Sequence, residues 1–230
     1  MSGRRVVMIS GGNRGIGAAI AAALAERGWL VSLGVRAPDR VTEAGDRLVH
    51  RYDAREPGSE RAWVAATAAR FGRIDAVVNN AGIMIPKSVI EAADPDLDAI
   101  LEVNVKAPLR LVREAWPHLT ASGEGRVVTV VSLSGKRVKT AGSGLYAMSK
   151  FAALGLAHAI RHAGWDKGVR STALCPGLVA TDMARGITSV PPEAMTRPED
   201  LARIVALVLE LPNTASVAEI PVNALLDESY

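Results

Sequence analysis

Runs of four to six residues that are apolar at nearly every consecutive position recur along this chain, separated by long alanine-rich stretches. Residues 6–9 (VVMI), 30–35 (LVSLGV), 74–79 (IDAVVN) and 126–132 (RVVTVVS) are the clearest. A strand without polar alternation is buried on both faces, and such strands occur in parallel sheets covered by helices. Weaker strands are read at 48–52, 169–174 and 215–223, the last disturbed by Pro221. Helical period is read at 18–27, 60–71, 96–116, 146–163 and 198–211, with Pro108 as a kink or a helix start. Strands alternating with helices, joined by right-handed crossovers, give a doubly wound, Rossmann-like α/β fold with a seven-stranded parallel sheet. The 230 residues suit one domain, 1–230, and the non-periodic stretch 181–197 is long enough to be a substrate lid.

Composition narrows the function classes. The chain is 49% hydrophobic and 22% charged, so it can build a core. Its one cysteine, Cys175, makes no internal disulfide, which suits a reducing cytoplasm. No signal peptide is read at the start and no apolar stretch reaches the length of a membrane span. The net charge of +3 comes from scattered basic residues, and aromatics are only 4%, so no nucleic-acid surface is expected.

Ser10-Gly11-Gly12-Asn13-Arg14-Gly15-Ile16-Gly17 lies between the first strand and the first helix. That is the place for a dinucleotide phosphate loop: glycines allow close backbone approach, and the helix N-terminus favours an anion. The spacing is G-x-x-x-G-x-G rather than the commoner G-x-G-x-x-G. At the end of the second strand, Gly34-Val35-Arg36 carries an arginine where an NAD site places an acid. Arg14 and Arg36 together suit the 2′-phosphate of NADP(H), which is expected to be preferred over NAD(H). The plainer reading is two solvated arginines.

These motifs, with Asp53, NNAG (79–82), Asn104, Ser132, YAMSK (146–150) and Pro176-Gly177…Thr181, resemble the short-chain dehydrogenase/reductase family in order and spacing over essentially the whole chain. The resemblance implies an NADP-dependent oxidoreductase acting on a small ketone, aldehyde or alcohol. It implies Tyr146 as general acid/base and Lys150 bound to the nicotinamide ribose, lowering the tyrosine pKa. Ser132 would hold the substrate oxygen, and Asn104 a water linking Lys150 to solvent. It further implies Asp53 and Ala54 at the adenine, Asn80, Ala81 and Gly82 lining the cofactor, and Pro176, Gly177, Val179 and Thr181 near the nicotinamide. Physics agrees on the pair: Tyr146 and Lys150 are one helical turn apart, and an ammonium stabilises a phenolate. Ser132 and Ser134 precede Tyr146 by 14 and 12 residues, either side of the family's usual 13. Ser132, at the strand end, is preferred and Ser134 stays open.

Other clusters are weaker. His158 and His162 have zinc spacing but no following glutamate, so a packed helix face is expected and no metal. Lys136, Arg137 and Lys139 could attract an anionic substrate or be a solvated loop. Segments 133–145, 176–178 and 181–197 are expected to face substrate through Leu133, Leu145, Leu178, Met183, Ile187 and Val190. The chain lacks the glycine-rich ending of 3-oxoacyl-carrier-protein reductases, and Arg110 with Arg113 is a thin docking patch. That reductase class and a non-catalytic NADP(H)-binding regulator remain the alternatives. In the family, the helices around 103–116 and 151–163 usually pair between subunits, which implies a homodimer or homotetramer.

Overall fold

A computed structural model describes residues 3–226; residues 227–230, the end of the polar tail, lie outside the described residues. The strands are β1 (Val6–Ser10), β2 (Leu30–Val35), β3 (Arg47–Arg51), β4 (Ala76–Asn79), β5 (Arg126–Val130), β6 (Arg170–Pro176) and β7 (Glu219–Val222). They form one seven-stranded sheet in the order β3-β2-β1-β4-β5-β6-β7, every pair parallel. The order reverses between β1 and β4, where an open α/β sheet leaves a crevice at the strands' carboxyl ends.

The helices are α1 (Gly15–Glu26), α2 (Ser59–Phe71), α3 (Asp94–Leu101), α4 (Ala107–Ala121), α5 (Gly144–Gly164), α6 (Asp182–Arg185) and α7 (Pro198–Glu210). One core layer joins the sheet to α1 and α7 through Ile20, Leu24, Leu201 and Val205. The other joins it to α2, α4 and α5 through Trp63, Leu111, Leu119 and Ile160. Each such side chain contributes roughly 1.5–3 kcal/mol on burial. The small residues of β2 are explained by Trp63: a Cβ at Gly34 would sit 2.6 Å from its ring. Ser32 Oγ accepts from the Trp63 indole N–H at 2.8 Å.

Two elements differ from the sequence reading. The expected helix at 96–116 is α3 and α4 joined by a π turn, Glu102–Lys106, in which the Ala107 N–H donates to the Glu102 carbonyl. Pro108 explains the break: it has no N–H for the Asn104 carbonyl, and its ring crowds that group. The last strand is shorter than 215–223 and lies at the sheet edge, where Pro221 costs no inner ladder bond. The segment 181–197 is pinned at its base, where Ala180 N–H donates to Thr196 O at 3.0 Å and Thr196 N–H to Leu178 O at 3.1 Å.

Candidate active site

Beyond the end of β5 the chain turns at Ser132, which caps a short 3₁₀ turn, Leu133–Gly135. Gly135 lets that turn lie against α5, because a Cβ there would be 2.7 Å from the Lys150 carbonyl. The contact brings the Ser132 hydroxyl into a hydrogen bond with the Tyr146 phenol. Ser134 does not take this place; its backbone N–H donates to Ser132 Oγ at 3.1 Å. One turn along α5, the buried Lys150 Nζ donates to the Val130 carbonyl at 2.9 Å and lies 5.6 Å from the Tyr146 ring centroid.

Burial governs the protonation of this corner. It pulls Lys150 down from 10.5 to about 8 and pushes Tyr146 up from 10.0 to about 12, opposed by the Ser132 hydrogen bond. Among the chain's own groups, desolvation and the Ser132 hydrogen bond set the direction of the Tyr146 shift. The Lys150 ammonium is bonded to a backbone carbonyl and is itself weakened by desolvation.

Asn104 sits in the π turn with its side chain fully engaged. Its Oδ1 accepts from the Ile83 N–H at 2.9 Å, and its Nδ2 donates to Ile83 O and Ser149 Oγ, each at 2.9 Å. A water would therefore have to be held by its backbone carbonyl, which Pro108 leaves without the ordinary i+4 donor. Gly82 lies between Asn104 and Lys150: a Cβ there would be 3.3 Å from Asn104 Oδ1 and 3.7 Å from Lys150 Nζ.

The glycine loop meets this corner across the crevice. Gly11 and Gly15 have φ of +68° and +53°, a region costly for other residues. A Cβ at Gly17 would lie 2.4 Å from Gly11 O and 2.5 Å from Asn80 Nδ2. Ser10, which the sequence reading gave no role, accepts from the N–H groups of Asn80 and Ala81, both at 3.0 Å. Asn80 Nδ2 donates to Ser10 O and Gly11 O, so its amide ties the loop to the end of β4. Ile16 packs on the core and Asn13 is exposed. No side chain caps α1 and no acid occupies its first turn. Uncapped N–H groups beside glycines fit the pyrophosphate of a dinucleotide.

The rim is more open. Arg14 Nη1 is 3.3 Å from Asp182, with the two side chains 67% and 55% exposed. Arg36 is exposed just past β2. Neither arginine is fixed by burial, but both stand at the carboxyl ends of neighbouring strands. Asp53 accepts from the Arg55 N–H at 3.0 Å, and the carbonyl of buried Ala54 accepts from Arg110 at 3.1 Å. Gly177 N–H donates to Val222 O at 2.8 Å, which holds the Pro176-Gly177 bend against β7. Val179 is buried, and Thr181 reaches the glycine loop, its methyl 3.2 Å from a Cβ built at Gly15.

Several remaining expectations are modified. Leu133 and Leu145 are buried in the core instead of facing substrate, whereas Met183 and Ile187 are exposed. His158 pairs with Glu219 at 2.6 Å, and Lys136 is ion-paired with the same carboxylate. Among the described residues no three His, Cys, Asp or Glu side chains gather as a metal site. Cys175 is buried, its thiol pushed up to about 11 by desolvation. Arg110 is committed to ion pairs with Glu60 and Glu102, which removes it from the docking patch. No described helix is long and apolar enough to cross a membrane.

Comparison with known proteins gives the family and the fold. The family model described as short chain dehydrogenase matches residues 5–191. Agropine synthesis reductase of Rhizobium rhizogenes is 39% identical over 92% of this chain, which spans only 50% of that protein. An alcohol dehydrogenase from Thermococcus sibiricus, complexed with 5-hydroxy-NADP, superposes with a TM-score of 0.86 at 28% identity over 98% of both chains. A metagenomic short-chain oxidoreductase in complex with NADP gives 0.82 at 27% identity, covering 97% of this chain and 98% of that one.

Proposed function

The chain belongs to the short-chain dehydrogenase family, and on that premise we propose that it is an NADP(H)-dependent oxidoreductase of small ketones, aldehydes or alcohols. The observation that carries this reading is the Ser132–Tyr146–Lys150 cluster at the carboxyl end of the sheet, facing the glycine loop. Gly11, Asn13, Gly15, Ile16 and Gly17 would hold the pyrophosphate, Asp53 and Ala54 the adenine, and Arg14 and Arg36 the 2′-phosphate. Asn80, Ala81, Gly82, Pro176, Gly177, Val179 and Thr181 would frame the rest of the cofactor, with Lys150 on its ribose. The relatives named in complex with NADP or 5-hydroxy-NADP support that choice.

When bound, the reduced cofactor supplies a hydride to the carbonyl carbon. Ser132 holds the carbonyl oxygen with a preorganised donor. Tyr146 gives its proton to that oxygen in reduction and takes it back in oxidation. A pKa of about 12 keeps Tyr146 protonated near neutrality, the form that donates when a carbonyl is reduced. Lys150, at about 8, exchanges protons readily in this range and returns one to Tyr146. Asn104 fixes the Ile83 backbone, next to the Gly82 that faces Lys150, and offers its carbonyl to a relaying water.

The same reading places a single catalytic unit in a cytoplasmic homodimer or homotetramer, with 181–197 covering the substrate. Exposed Met148 and Phe151, beside Ala152 and Gly155 on α5, support a subunit contact there, which sedimentation would measure. The activity itself is tested with a panel of small carbonyls and alcohols, following the absorbance of reduced nicotinamide. NADPH consumption with at least one carbonyl is expected; none with any member, at saturating cofactor, overturns the reading.

A further inference from the structure

The adenine-side loop and the turn that carries Asn104 are separate in sequence, yet one side chain touches both. Arg110, on the first turns of α4, donates from Nε to Glu60 Oε1 at 2.8 Å and from Nη2 to the Ala54 carbonyl at 3.1 Å. The same Nη2 lies 2.7 Å from Glu102 Oε1. Glu60 is almost wholly buried, its side chain 1% exposed, and its other oxygen accepts from the Gly58 N–H at 2.9 Å. Glu102 opens the π turn and also pairs with Lys106 at 3.6 Å. Burial weakens the guanidinium, but the hydrogen bond to Glu60 and the charge of Glu102 outweigh it, and the Arg110 pKa is raised.

We propose that Arg110 is a positioning residue that couples the Ala54 loop to the π turn holding Asn104, and so links cofactor binding to the catalytic corner. The inference rests on the proposed function for its catalytic readout. A planar guanidinium can hydrogen-bond Glu60 and Ala54 in fixed directions while its charge faces Glu102, which a lysine ammonium on a flexible stem does not reproduce. Its partners divide the connection into two arms. Glu60 and Ala54 lie toward the adenine side. Glu102 lies two residues before Asn104, whose side chain clamps Ile83, next in sequence to the Gly82 that faces Lys150.

The two arms can be cut separately. Glu102→Gln keeps the side-chain shape and removes the charge at the π turn. The expected result is a fivefold to tenfold loss in kcat on the best carbonyl of the panel, with NADPH Kd within twofold of wild type. Hydrogen exchange at the Ile83 amide should speed up about tenfold, with residues 54–60 unchanged. Because Arg110→Met alone leaves a buried carboxylate unpaired, it is combined with Glu60→Gln. That double variant should weaken NADPH binding and also lower kcat, whereas Arg110→Lys should restore only part of either. Wild-type kcat and wild-type Ile83 exchange in Glu102→Gln would overturn the proposal. So would an equal loss of NADPH affinity in Glu102→Gln and the double variant, since that marks general loosening. If wild type reduces no carbonyl at all, the exchange at Ile83 still decides the coupling, independently of the proposed activity.

Discussion

The catalytic corner and the arginine rim stand on the same crevice but are built in opposite ways. Asn104 and Lys150 are buried, and Tyr146 is half-buried; each has partners in neighbouring elements. Arg14 has an exposed acid at 3.3 Å, and Arg36 is solvent-facing. Groups that move protons need fixed distances and low dielectric, so burial and redundant hydrogen bonds suit them. Groups that recognise a phosphate can be left mobile, because a charged fork attracts its partner without a rigid frame. A substitution in the corner should therefore damage fold and chemistry together, while one on the rim should change affinity alone.

The largest break in that contrast is Asn104→Ala. It leaves the Ile83 N–H and carbonyl without their partner, and each unsatisfied buried group costs roughly 1–3 kcal/mol. A stability loss of about 3 kcal/mol is expected in urea unfolding. A loss well below 1 kcal/mol would show that the corner is not held by this amide.

The next effect is a dependence of stability on pH. Unfolded, Lys150 titrates near 10.5; folded, near 8. Between those values the unfolded chain binds the extra proton, so stability rises with pH. Tyr146 acts in the opposite sense above about pH 10, since the folded form keeps its proton up to about 12. Wild type should gain about 1.5 kcal/mol from pH 8 to 9.5 relative to Lys150→Met in urea titrations. Parallel curves for the two proteins would remove the desolvated lysine from the account.

On the rim the changes are smaller and confined to binding. NADPH should bind at least about tenfold tighter than NADH, about 1.4 kcal/mol, and Arg36→Asp should erase that preference without moving Tm. An unchanged ratio in fluorescence titrations would locate the 2′-phosphate elsewhere. Asp182→Asn should tighten NADPH about twofold by releasing Arg14, in keeping with the small worth of an exposed pair. A weaker NADPH complex would instead make Asp182 part of the site.

What the sequence reveals follows the same division. Strands apolar on both faces and the Tyr146/Lys150 spacing are local patterns, and β1, β2, β4, β5, β6 and α5 lie within a few residues of where those patterns put them. The π turn at 102–106 was not legible. The signal available was Pro108, read as a kink without a register for it. Ser10 and Asn80 stood in plain motifs, yet their bonds run between β1 and β4, and pairing across sequence is invisible to periodicity. The desolvation at Tyr146 also escaped, because a nearby lysine is visible in sequence whereas the depth of burial is not. Leu133 and Leu145 were assigned to substrate for the same reason: an apolar residue beside a site reads alike whether it faces the crevice or the core.

The claim that Tyr146 transfers the proton is tested most directly by Tyr146→Phe, assayed with NADPH and the best carbonyl of the panel alongside a fluorescence measurement of NADPH binding. Loss of the phenol should lower kcat by about 10³-fold, within the range for general acid catalysis, with NADPH Kd within a factor of two or three of wild type. Turnover within tenfold of wild type at undiminished NADPH affinity would contradict it.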